Sequence, residues 1–384
     1  MTQRAHVRPG DQGLQVRAVV ERLIATGDLP SHADTGSDLY DGPVETAVRA
    51  FQQRRGMLAD GVVGPQTYRA LDGARWQLGD RILLHVPGHL LMGDDVAALQ
   101  QRLLELGFSS GRVDSLFGPL TDDALRQLQR GVGLRPDGVA GPQTLRALSQ
   151  LSRSVGGGAP EALREADRVR TAGPSLAGRV VVLDPGHGAT SPGATSGDLV
   201  EADLVLDLAR RIEGRLAVVG VQVVLTRGLT GDPDDVARAE LANEIGADLL
   251  LSLHCESMPT SERANGVATY FYGRDDHGGA WSVTGERLAT LVQSEIVSRT
   301  DLLDCRTHPR SWDLLRRTQM PAVRVDVGHL SNDGDARRLA DPAFRDTLAE
   351  AVVVAIQRVY LPAQQDAATG TLRIADVMAQ AQRS

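Results

Sequence analysis

A stretch of twelve residues occurs twice in the first 150 positions, nearly letter for letter, and limits this region to folds built from two copies of one small unit. Asp60-Gly61-Val62-Val63-Gly64-Pro65-Gln66-Thr67-Tyr68-Arg69-Ala70-Leu71 returns as Asp137-Gly138-Val139-Ala140-Gly141-Pro142-Gln143-Thr144-Leu145-Arg146-Ala147-Leu148, an offset of 77. Ala47-Val48-Arg49-Ala50-Phe51-Gln52 is answered by Ala124-Leu125-Arg126-Gln127-Leu128-Gln129 at the same offset. Each copy opens with apolar residues at helical spacing: Leu14, Val16, Val20 and Leu23 in the first, Val96, Leu99, Leu103 and Leu106 in the second. A second helix carries Phe51 or Leu128. Gly-Pro-Gln-Thr then starts a third, with Pro65 and Pro142 at a first-turn position where the missing N–H costs no hydrogen bond. The expectation is two small all-α three-helix repeats, over residues 1–75 and 76–152.

Beyond them the pattern changes. Residues 153–178 hold Gly156-Gly157-Gly158, a charged helical stretch from Pro160 to Arg170 and Gly173-Pro174, which reads as a linker containing one helix. From 179 to 361, apolar runs near 180–183, 221–225, 248–253, 266–272 and 322–327 alternate with helical patterns near 201–219, 234–245, 281–299 and 342–360. That alternation predicts an α/β domain with a mostly parallel sheet flanked by helices. Residues 362–384 are polar and rich in Ala and Gln, and are expected to form a mobile tail with at most a short helix over Ile374 to Met378.

Composition removes several function classes. A net charge of −8, with no basic run and only 3% aromatic residues, gives neither an electrostatic footprint nor stacking platforms for nucleic acid. All 41 basic residues are arginine, so no mechanism here uses a lysine. No window approaches the ~18 apolar residues of a membrane span, and Met1 to Gly13 holds no signal-like apolar core. Cys255 and Cys305 stand alone, which agrees with a reducing compartment, and the expected location is the cytoplasm.

Three short islands carry the chemistry: Leu183-Asp184-Pro185-Gly186-His187-Gly188, Leu199-Val200-Glu201-Ala202-Asp203 and Leu251-Ser252-Leu253-His254. His187 and His254 each follow an apolar run that reads as a buried parallel strand, and strand ends are where open α/β sheets bind ligands. Glu201 opens a helical pattern through Leu204, Leu208, Ile212 and Leu216, so its first turn can face the same edge. Two imidazoles and one carboxylate form the ligand set of a catalytic zinc (Zn2+) site with the fourth position open. Cys255, next to His254, is expected to point to the opposite side of its strand.

On these residues the chain resembles two families. The doubled Asp-Gly-x-x-Gly-Pro-x-Thr signature is similar to the three-helix peptidoglycan-binding domain, which implies peptidoglycan fragments or precursors as ligands. Residues 179 to 360 resemble the zinc-dependent N-acetylmuramoyl-L-alanine amidases of the amidase-3 type. The match runs through Asp-Pro-Gly-His-Gly, Glu201, Thr226-Arg227, Arg238 with Ala242-Asn243, Ser252-Leu253-His254, Gly266-Val267-Ala268-Thr269-Tyr270 and Met320-Pro321-Ala322-Val323. The resemblance implies His187, Glu201 and His254 as zinc ligands. It also implies a catalytic general base at Asp326, where the family carries Glu in a Val-Glu-x-Gly-Phe-x-Ser-Asn context and this chain reads Val325-Asp326-Val327-Gly328-His329-Leu330-Ser331-Asn332. Asp retracts the carboxylate by one methylene, and a misplacement of ~1 Å already costs on the order of a hundredfold in rate. Weak hydrolysis is therefore expected. Glu256, where the family has the Asn of His-Ala-Asn, adds negative charge at the same edge.

The full-length order of parts is also similar to the CwlM-type cytosolic regulators of peptidoglycan synthesis in actinobacteria. That resemblance implies an alternative use of the same scaffold, the control of precursor synthesis. The partners it implies are the enolpyruvyl transferase of the pathway, lipid II export machinery and a Ser/Thr kinase, with Thr369 and Thr371 in the tail as the candidate phosphorylation sites.

Overall fold

The computed structural model describes residues 6–30, 38–151, 160–258, 261, 263–273, 281–361, 366 and 368–381. They divide into two compact units, one running to Glu161 and one from Ala162 onward. Part of the expected linker, residues 153–159, lies outside the described residues, as do 362–365, 367 and 382–384 of the tail. Among the described residues no helix is long and apolar enough to cross a membrane.

The first unit holds two triplets of helices, α1 (Leu14–Ala25), α2 (Gly42–Arg54) and α3 (Pro65–Ala74), then α4 (Asp94–Glu105), α5 (Pro119–Gly131) and α6 (Pro142–Leu151). Each triplet closes on its own core. Val16, Val20, Leu23, Phe51 and Leu71 fill the first; Val96, Leu99, Leu103, Leu128 and Leu148 fill the second. The three-helix repeats expected from the duplicated words are present, and Pro65 begins its helix directly after the N-cap Gly64.

The duplicated words fold as a polar cradle. Gln52 donates through Nε2 to Asp60 Oδ1, the Val62 carbonyl and Thr67 Oγ1, and accepts from the Gly61 amide. Gln129 repeats every contact with Asp137, Val139, Thr144 and Gly138. A third copy lies between them: Gln100 contacts Asp114, the Leu116 carbonyl, Thr121 and the Ser115 amide in the same way. Each glutamine is about 1% exposed, so the cradle satisfies its turn without help from water.

The second unit begins within α7 (Pro160–Thr171); its Val169, with Ala172 and Leu176 just beyond it, packs against the core of the α/β domain. This part of the segment expected as a linker is therefore structural, because its few apolar residues find a sheet-backed core to cover. Eight strands and the remaining helices follow in the order β1 (Val180–Pro185), β2 (Thr195–Ser196), β3 (Leu199–Val200), α8 (Glu201–Val218), β4 (Gln222–Leu225), α9 (Asp235–Glu244), β5 (Leu249–Glu256), β6 (Val267–Tyr272), α10 (Val283–Arg299), β7 (Asp304–Arg310), α11 (Asp313–Arg317), β8 (Ala322–His329), α12 (Asp333–Ala340), α13 (Pro342–Tyr360) and α14 (Ile374–Ala381).

Six strands form one sheet in the order β4-β1-β5-β8-β6-β7. The first four run parallel; β6 runs against β8, and β7 runs parallel to β6. The mostly parallel sheet flanked by helices is as the alternation predicts. Residues Leu251, Leu253, Val323, Val325 and Val327 face a core with α8, α10 and α13, while Leu250 and Ala322 face α9 and α11 through Ala239, Ala242, Leu314 and Leu315. Both faces are covered, which is why β1 and β5 read as continuous apolar runs.

The tail differs from expectation. Val377 is fully buried and Leu372 and Ile374 pack beside it, against the same core as α10 and α13. Charges hold the approach: Glu295, fully buried, pairs with Arg299 and Arg358, and Arg358 donates to Asp366 and to Thr369 Oγ1. The described part of the tail docks because buried ionic groups on α10 and α13 need the polar groups it brings.

Candidate metal centre

β1, β5 and β8 end together, and their C-terminal ends deliver the chemistry. In the β1–β5 register Asp184 faces Ser252, and in the β5–β8 register His254 faces Asp326. His187 lies two residues past β1 with φ 58, a left-handed conformation that non-glycine residues seldom adopt. The short β2–β3 hairpin turns the chain back so that Glu201 falls in the first turn of α8.

Glu201 organises the cluster. It is 1% exposed; its Oε1 lies 2.9 Å from His254 Nδ1, and its Oε2 lies 3.3 Å from His187 Nε2. The Ala194 amide donates to Oε2 and the Cys255 amide to Oε1. Burial works to raise the pKa of this carboxyl, but the hydrogen bonds with His187 and His254 outweigh it and hold Glu201 well below the usual carboxylate range. Burial, followed by the charge of Arg324, pushes the His254 pKa down, which favours the neutral imidazole.

The donor set fits a zinc ion. One nitrogen from each histidine and one carboxylate oxygen lie within 4.8 Å of one another. The surroundings leave room for nothing bulkier in the backbone: a Cβ on Gly186 would fall 2.2 Å from the His254 ring, and one on Gly193 2.4 Å from Glu201 Oε2. The cluster opens on a cleft of about 510 Å3 whose walls include Thr195, Glu256 and Arg324.

Asp326 is near the cluster but differently engaged. It is 1% exposed, and Arg324 Nε donates to its Oδ1 at 2.7 Å while its Oδ2 is buried without a hydrogen-bond partner. Arg324 Nη2 also donates to Glu256 Oε1 at 2.7 Å, and its guanidinium lies 4.7 Å over the Trp312 ring. Burial and the charge of Asp326 push the Glu256 carboxyl up to about 7. The Arg324 charge thus sits between two carboxylates, one inward and one at the cleft.

The structure brings His187, Glu201 and His254 together and sets Asp326 beside His254 in register. Cys255 turns away into the core with Leu253, as strand alternation predicts. Thr369 and Thr371 are exposed and belong to the docked tail; Thr371 Oγ1 donates to the Ala368 carbonyl at 2.6 Å. Sequence reasoning gave no role to Arg324. The signal was present, since Val323-Arg324-Val325-Asp326-Val327 alternates apolar residues with two opposite charges, which puts the charges on one face.

Both units are similar to known proteins. Residues 181–358 match the family model described as N-acetylmuramoyl-L-alanine amidase, and residues 12–71 and 92–148 match the peptidoglycan binding domain model. The chain is 45% identical to the N-acetylmuramoyl-L-alanine amidase CwlM of Mycobacterium tuberculosis, with 97% of this chain and 94% of that protein aligned. It is 28% identical to a germination-specific N-acetylmuramoyl-L-alanine amidase of Bacillus subtilis over 48% of this chain and 81% of that one. Among solved structures, the amidase AmiC2 of Nostoc punctiforme aligns with 46% of this chain and 94% of its own at 30% identity, with a TM-score of 0.43.

Proposed function

Because this chain belongs to the family of N-acetylmuramoyl-L-alanine amidases, we propose that it hydrolyses the amide between the lactyl group of muramic acid and L-alanine, in peptidoglycan or muropeptides, at low turnover. The observation that carries the reading is the convergence of His187, Glu201 and His254, the first two of which line an open cleft. These three residues would hold zinc, which supplies a polarised carbonyl and an acidified water when bound. The chain's own residues do the rest. Glu201 is kept ionised and His254 neutral, the states in which each donates to a cation. Asp326 is the carboxylate nearest the family's base position, and its part is to take the proton of the attacking water and return it to the leaving amine. Low turnover is supported by two features: Asp is one methylene short, and the Asp326 carboxylate is already paired with Arg324 inside the fold. The two N-terminal repeats would hold peptidoglycan strands or fragments near the cleft.

A second reading is favoured by that Arg324–Asp326 pair together with the docked tail. In it the protein is a catalytically weak cytoplasmic regulator of precursor synthesis that works through the enolpyruvyl transferase or the lipid II export machinery and is switched by a Ser/Thr kinase. A phosphate on Thr369 would bring nearly two negative charges beside Arg358, which already serves Glu295 and Asp366, and would compete for that guanidinium. One experiment separates the readings: turnover of a muramoyl-peptide by zinc-loaded wild type and by Asp326→Glu. The amidase reading expects slow cleavage by wild type and at least a tenfold gain in the variant. Silence from both, with zinc bound, would overturn it and leave the regulator.

A further inference from the structure

Arg227 and Arg238 stand out among the motif residues because the proposed chemistry uses neither, yet both are buried charges beside the ligand cluster. Arg227 is 6% exposed and makes all of its described hydrogen bonds to backbone carbonyls. Its Nε donates to Pro185 at 2.8 Å, its Nη2 to Gly186 at 2.7 Å and to Ala202 at 2.8 Å, and its Nη1 to Gly228 at 3.1 Å. Pro185 and Gly186 lead directly into His187; Ala202 directly follows Glu201. One guanidinium therefore ties the loop of one metal ligand to the helix of another.

Arg238 completes the hold on the loop. It donates to the Pro185 carbonyl at 2.9 Å and to the His187 carbonyl at 2.7 Å, and it is itself fixed by Asp184 at 2.6 Å. Three successive carbonyls, 185 to 187, are thus each claimed by an arginine. Fixing those peptide planes fixes the dihedrals of Gly186 and His187, including the left-handed φ of 58 that aims the imidazole at Glu201. A residue present only to fill space would be apolar here, since burying a guanidinium on neutral acceptors is costly.

We propose that Arg227 is a positioning residue of the metal centre, joining the His187 loop to the Glu201 helix so that the two donors meet one cation. The proposal rests on the reading of His187, Glu201 and His254 as zinc ligands. Its chemistry calls for arginine specifically, because the planar fork presents separate N–H groups to two elements while lysine presents one compact ammonium. Residues that orient metal ligands typically contribute 10–100-fold to metal affinity.

The test is zinc affinity of the full-length protein, measured by competition with a chromophoric chelator, for wild type, Arg227→Lys and Arg227→Gln, alongside the thermal midpoint of each metal-free protein. The expected result is stoichiometric binding by wild type and a loss of about 10–100-fold in both variants, with the metal-free midpoint of the lysine variant close to that of wild type. Binding within twofold of wild type in both variants would overturn the proposal. So would a lysine variant whose metal-free stability falls in step with its affinity, since that is the behaviour of a purely structural residue. Failure of the wild type itself to bind zinc would instead overturn the ligand assignment on which the proposal stands.

Discussion

Asp184 shows how much of the site depends on one carboxylate that touches no metal. It is fully buried and accepts from Thr226 Oγ1, Arg238 Nη1 and Ser252 Oγ. Burial works to raise its pKa, but the charge of Arg238 and the hydrogen bonds from Ser252 and Thr226 win, and the carboxyl titrates below its usual range. A carboxyl depressed in the fold stabilises it fully above its unfolded pKa, near ~3.9, and the contribution fades as pH falls through the folded value. Asp184→Asn leaves Arg238 buried without its counter-charge, so urea unfolding near neutral pH is expected to show a loss of about 3–5 kcal/mol, together with a shallower stability decline below about pH 4. The three donors that converge, His187, Glu201 and His254, were legible in the sequence because each stands in a distinctive local word. The residues that hold them were legible as words but not as roles, because the contacts of Arg227 and Arg238 with the donor loop and helix reach across 25 to 54 positions of chain.

At the scale of elements, the glutamine cradle explains both what the repeat analysis found and what it missed. Gly61 and Gly138 occupy the left-handed region at φ 75 and 73, and in the middle copy the same conformation falls to Ser115 at φ 64. Replacing that glycine hid Asp114-Ser115-Leu116-Phe117-Gly118-Pro119-Leu120-Thr121 from a search for the Asp-Gly word, although Asp, Gly-Pro and Thr keep their spacing. Gln129→Ala would leave the Gly138 amide without its acceptor and Asp137 and Thr144 without their shared donor. An expected loss of about 2–3 kcal/mol follows, with the second triplet melting earlier by circular dichroism while Gln101→Ala, at a partly exposed glutamine of α4, changes little. Strand β7 escaped the sequence reading for a different reason. Asp304-Cys305-Arg306-Thr307-His308-Pro309-Arg310 has neither an apolar run nor a clean alternation, and it is a strand only because β6 pairs with it along one side.

Across the whole molecule, the α/β core and its strand order follow from buried apolar runs, whereas the docking of the tail does not, since its anchor is ionic: Arg358, 8 positions before Asp366, and Glu295, 75 positions before Gly370. Removing residues from 366 onward would strip the cover from the core beside α13 and leave Glu295 and Arg358 without Thr369, Asp366 and Gly370. The expected outcome is a loss of about 2–3 kcal/mol in the second unit, read as an earlier thermal transition and faster cleavage by trypsin, with no change in the melting of the helical triplets. The margins of the sheet carry a consequence for assembly. On one side it stops at the four-residue β4; on the other it stops at β7, where the register slips, Arg306 turns to φ 67 and Pro309 withholds an amide. A short strand at one border and an irregular one at the other are edges that resist being lengthened by a strand from a neighbouring molecule.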